Sequence, residues 1–254
     1  MATASGVRPA MDAERRFFLV MAIAMSGIIV CGFAFNLAMG RSTFAVPAPY
    51  HIHAAIFFGW LALYVAQSTL IAGKNVAAHR RLGIAAYALV PAMVVMGFVI
   101  MTVTMRRTGG PFFFDQNEFV VSNTLLLCLF AVLVFAALRV RRHAGWHRRL
   151  MLVAVSILSG PGIGRLAPMP LLIPNGWRIM MALTLLFPLT GMIRDKVRHG
   201  RVHPAWWWGV GAIVVVQIVA DIIAYSPLGV SLTQHLIAGT PGAARPMHAF
   251  LPPG

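Results

Sequence analysis

Five histidines gather where short basic turns meet apolar runs: His79, His143, His147, His199 and His203. His143/His147 and His199/His203 are four apart, a spacing that puts both imidazoles on one face of a helix. His79 and His147 each open an apolar run, so each is expected at a helix N-terminus, where the positive dipole end disfavours protonation. A neutral imidazole is what iron, copper or zinc takes as a ligand. Two such histidines facing one another could hold a haem b from both sides. Arg80 and Arg148, with their neighbours Arg81 and Arg149, could then pair with its propionates. The same residues could equally be interfacial anchors holding helix ends at headgroup level.

Two further groups could carry chemistry. His51 and His53 precede the second apolar run, with Asp115 and Glu118 expected on the same side. On a helix, residues two apart diverge, so both histidines could bind one metal only if that stretch is extended. Arg165 follows the broken run Ser159-Gly160-Pro161-Gly162-Ile163-Gly164, and Asp221 stands late in the last apolar run. At 1.5 Å per residue they lie roughly 22 and 24 Å from the start of their helices. Charges that deep are costly unless paired or hydrated. An Arg165–Asp221 ion pair is therefore expected, either as a lock beside a kink or as part of a ligand-facing site.

The elements that position these residues are dictated by composition. Of 254 residues, 59% are hydrophobic and only 11% charged, and mean hydropathy is +0.79. Such a chain cannot cover a water-facing surface, which excludes a soluble domain, a coiled coil and a disordered segment. The net charge of +15 would suggest nucleic acid in a soluble protein. Here the basic residues sit in short loops between apolar runs, so no nucleic-acid partner is expected and the lipid bilayer is. Cys31 and Cys128 lie inside apolar stretches and read as small packing residues.

A spanning helix needs about 20 mostly apolar residues. The pattern predicts an all-α, polytopic bundle of about seven spans: Phe17–Met39, Ala54–Gly73, Leu82–Met105, Phe119–Val140, Leu150–Leu172, Trp177–Ile193 and Ala205–Tyr225. The fifth is interrupted and the sixth short. Residues 1–16 form a cytoplasmic tail, 17–225 the bundle, and 226–254 an outer tail too short to span. Placing the N-terminus inside puts 15 of the 21 Lys and Arg on the inner side. Only Arg41, Arg106, Arg107, Arg165, Arg178 and Arg245 remain outside, as the positive-inside rule requires. The C-terminus then falls outside. Trp206, Trp207 and Trp208 read as an interfacial belt, and Gln67 and Gln217 as interhelical hydrogen-bonders.

His79-Arg80-Arg81-Leu82 returns as His147-Arg148-Arg149-Leu150, 68 residues on, and Pro91 and Pro161 interrupt the two following runs. Either a duplicated hairpin or the same charge rule acting twice would produce this pattern. His51-x-His53, Trp60, Gln67 and His79-Arg-Arg-Leu-Gly83, with His147-Arg-Arg-Leu-Met151, Gly164-Arg165 and Asp195…Gly200-Arg201-Val202-His203-Pro204, resemble a widespread group of uncharacterised bacterial inner-membrane proteins. His-Arg-Arg-Leu-Gly is also similar to motifs of transmembrane b-type cytochromes, and His-Arg-Arg-Leu-Met to one in membrane proteins that assist cytochrome oxidase maturation. These resemblances imply a bacterial cytoplasmic membrane, a haem- or metal-associated redox or assembly role, and a respiratory or other membrane complex as partner. The alternatives from other classes are a small-solute carrier or receptor built around Arg165 and Asp221, and a structural subunit.

Overall fold

A computed structural model describes residues 4–251, with side chains from 12 to 251. Ten α-helices follow one another: α1 (Ala4–Ala38), α2 (Ala48–Ala72), α3 (Val76–Leu82), α4 (Ala86–Thr108), α5 (Gln116–Arg139), α6 (Ala144–Leu158), α7 (Gly160–Leu166), α8 (Gly176–His199), α9 (Pro204–Ala224) and α10 (Pro227–Ile237). No strand occurs among the described residues. Six helical stretches are long and apolar enough to cross a membrane, and α6 with α7, bent by 43°, makes up to a seventh. The protein is a multi-pass membrane protein by length and composition. Exposed Val20, Ile23, Val95, Val132, Ile218 and Ile222 fit an outer surface solvated by hydrocarbon.

The boundaries depart from the sequence pattern in instructive places. Helix α1 is continuous from Ala4, so the described residues before Phe17 are helical and extend the first helix; Met1–Thr3 lie outside the described residues. Helix α8 runs to His199, long enough to cross, because Arg194, Asp195 and Lys196 continue the helix past the apolar window. The interruption in the fifth span divides α6 from α7 at Ser159, and Gly160-Pro161-Gly162 open the new helix. Gly162 meets Gly32 of α1 backbone to backbone; a Cβ on Gly162 would lie 2.6 Å from the Ile29 Cα. The break thus lets α7 lie directly on α1.

Alternating helix directions give the bundle two faces. The N-terminal face carries Asp12, the α2–α3 turn, the α5–α6 turn and the α8–α9 turn, tied by Lys74–Asp12 and Arg148–Glu14 contacts. The opposite face carries the start of α5, the end of α9, and the chain beyond it. That last segment docks on the bundle. Arg245 donates to the carbonyls of Gly109, Phe112 and Phe114, the backbone N–H of Gln116 donates to Met247, and that of Ala249 to Asp115. Between the faces the core is apolar, built on Met25, Trp60, Val90, Phe130, Val134, Leu152 and Val153.

Candidate functional site

His79 and His147 meet on the N-terminal face. Asn75 caps α3 by accepting the Ala78 N–H, which fixes His79 one helical turn after the α2–α3 turn. A 3₁₀ turn at Gly83–Ala85 then leads into α4. His147 stands one turn into α6, whose N-cap is His143. The two rings lie 6.3 Å apart, centroid to centroid, at 82° to one another. His147 Nδ1 is 2.8 Å from the Ala137 carbonyl, which can only accept, so this nitrogen carries the proton and Nε2 holds the lone pair. His79 Nδ1 is buried without a partner. Gln67 of α2 completes the surroundings: its amide nitrogen packs against Gly83, and its Oε1 is also buried and unpartnered.

The arginines that follow the two histidines have different fates. Arg80 and Arg81 are exposed. Arg148 instead grips Glu14 of α1 at 2.5 Å, so the propionate role expected for Arg148 is corrected: a carboxylate of this chain already occupies it. Arg149 is buried and binds both oxygens of Asp195, at 2.9 and 2.8 Å, with Glu14 at 3.2 Å and the Gly145 carbonyl at 3.0 Å. Asp195 also accepts the Trp206 indole N–H at 2.9 Å. Trp206 is therefore a buried ligand of this carboxylate, while Trp207 and Trp208 remain exposed as a belt. The spacing of residues does not specify the Arg149–Asp195 pair; its signal in the sequence is a lone acid at the end of α8, on the face richest in arginine.

His203 caps α9, its Nδ1 accepting the Ala205 N–H, and so must be unprotonated there. Burial first, then the positive charge of Arg149, hold its pKa below the usual value. The four-residue pairs His143/His147 and His199/His203 do not form helical faces, because His143 and His203 are caps outside the helices. Among the described residues, one group of three His and carboxylate side chains has ligand atoms within 4.8 Å: Glu14, Asp195 and His199. Its two acids are already paired with arginines, Asp195 with Arg149 and Glu14 with Arg148 and Arg149.

The other expected sites are rearranged. His51 and His53 are both helical in α2, whose first turn begins at Ala48; His51 points outward and His53 inward, so they do not share a metal. Asp115 is engaged elsewhere, accepting the Tyr225 hydroxyl at 2.9 Å and the Ala249 N–H at 2.7 Å. Asp221 does not pair with Arg165. Its partner is Arg178 at the start of α8, 3.3 Å away, with the Gln217 amide at 2.8 Å and Glu118 on the far side of Arg178 at 3.8 Å. Gln217 also accepts the Trp177 indole N–H, joining α8 to α9 as expected of an interhelical glutamine. Arg165 instead lies over the Phe33 ring, 3.8 Å from its centroid. The helices set them apart: α7 faces α1, while the end of α9 faces α5 and α8.

Compared with protein-family models, with curated proteins and with solved structures, the chain matches none.

Proposed function

We propose that this protein binds a metal-centred cofactor, haem b in the first instance, between His79 and His147, and serves electron transfer or cofactor delivery in a bacterial cytoplasmic membrane with its N-terminal face inside. The observation that carries this reading is the meeting of two histidines from segments 68 residues apart, ring to ring at 6.3 Å. A metal held by one nitrogen of each of two imidazoles at about 2 Å sets the ring centroids roughly 6 Å apart. The carbonyl of Ala137 orients one ring and leaves its Nε2 free, as second-shell acceptors do for metal-bound histidine. The unpartnered His79 nitrogen fits the second ligand.

When bound, haem iron would supply one-electron chemistry. The residues of this chain hold and orient it: His79 and His147 as ligands, and exposed Arg80 and Arg81 as the cations nearest His79 in sequence for the propionates. Protein purified in detergent and supplied with haem should show a Soret band that shifts on dithionite reduction and is lost in the His79→Ala, His147→Ala double variant. A preparation that stays colourless, and free of metal on elemental analysis, would sink the reading.

A further inference from the structure

Arg165 carries a charge that its surroundings do not balance. It stands at the end of α7, within the bent span, and none of the salt bridges among the described residues includes it. One of its five N–H groups donates to the Pro161 carbonyl at 2.8 Å, and its guanidinium lies on the Phe33 ring. A ring face and one carbonyl replace only part of the hydration that a guanidinium loses. Arg178, at the other side of the same face, is answered by two carboxylates.

A second unfilled group belongs to the same corner. His53 of α2 points inward, and its Nδ1 is buried without a hydrogen-bond partner. Phe58 of the same helix meets the Phe33 ring on which Arg165 lies, which brings α2 to the guanidinium, and a neutral imidazole has one N–H to give. Aromatic rings line one side of the corner: Phe57 lies 4.1 Å from the His53 ring, and Phe33 meets Phe58 edge-on at 5.5 Å. Gly32 and Gly162, touching through their backbones, hold α1 and α7 together behind it.

From this arrangement we infer that α1, α2 and α7 bind the head of a monoanionic amphiphile, a carboxylate on an apolar chain. Arg165 is its charge partner, His53 its second donor, and the phenylalanines contact the body. A carboxylate matches the arrangement because it brings one negative charge and two oxygens, one for each donor group. A phosphomonoester would bring a second charge with no cation to meet it. The site is separate from the His79–His147 pair, so each reading can fail alone.

The test is equilibrium binding of radiolabelled laurate to the detergent-purified protein, with dodecanol and phosphatidylglycerol as competitors. Laurate should bind saturably, be displaced by unlabelled laurate and resist dodecanol of the same length. Arg165→Ala should weaken binding at least about tenfold, the loss of a charge-assisted hydrogen bond. Arg165→Lys should recover part of it, and His53→Phe should weaken it several-fold. The His79→Ala, His147→Ala variant should bind laurate as the unaltered protein does. Absence of saturable binding, displacement by dodecanol, or unchanged affinity in Arg165→Ala would overturn the proposal. Displacement by phosphatidylglycerol as effective as by laurate would overturn the carboxylate assignment in favour of a lipid phosphate. Should Arg165→Ala not fold, unchanged affinity in both Arg165→Lys and His53→Phe would overturn it instead.

Discussion

The tetrapeptide His-Arg-Arg-Leu occurs twice, and its two copies live in different surroundings. The histidines converge, His79 and His147 meeting ring to ring. The arginines diverge. Arg80 and Arg81 stay exposed, whereas Arg148 and Arg149 are drawn into a carboxylate network that ties α6 to α1 and α8. What separates the copies is the neighbourhood: α6 runs between helices carrying Glu14 and Asp195, two of only six acidic residues in the chain. A repeated motif thus specifies the histidine position, and the packing of the bundle decides what its arginines do.

Removing the second arginine from each copy should separate the two most widely. Arg149→Ala would leave Asp195 buried and unpaired, a loss on the order of 3–5 kcal/mol. Arg81→Ala should stay within about 0.5 kcal/mol, as exposed positions do. Thermal unfolding in detergent reads both, and equal shifts would refute the asymmetry. A smaller effect should come from the residue that makes room for the network. A Cβ on Gly191 would clash with the Trp206 ring, so Gly191→Ala should displace the indole from Asp195 and cost about 1–3 kcal/mol. A melting temperature unchanged by Gly191→Ala would show that the ring can move aside freely. The smallest concerns pH. His203 has its pKa depressed in the fold, so the unfolded chain binds the proton more readily and stability falls as pH drops below about 6.5. His203→Asn keeps a capping side chain without the titration and should flatten that slope; an identical pH profile would assign the slope elsewhere.

Much of this was legible in the residues, and what was not shares a physical cause. Apolar run length gave the membrane class and six of the expected spans, the bent α6–α7 pair making up to a seventh, because a bilayer sets the length of its crossing helices. Helix rise set the expected depth of Arg165 and Asp221. Depth is one coordinate of three, and the sideways position follows from which helices pack together. Asp221 therefore found Arg178, and Arg165 found Phe33. The His51/His53 expectation failed for a local reason: α2 starts at Ala48, six residues before the apolar window, since Pro49 near its start suits a first helical turn. Arg149–Asp195 was hidden among many basic residues on one face, where charge counting shows that a lone acid will be paired but not by which arginine.

The segment beyond α9 bears on how the molecule is made. Arg245 closes on the carbonyls of Gly109, Phe112 and Phe114, and Gln116 on that of Gly242, so the connection between α4 and α5 is fastened by residues more than a hundred positions downstream. A ribosome delivers those residues well after α4 and α5. The end of α4 and the start of α5 must wait, threaded but unlatched, while five more helices emerge, and the fastening comes only once Gly242 and Arg245 have been made.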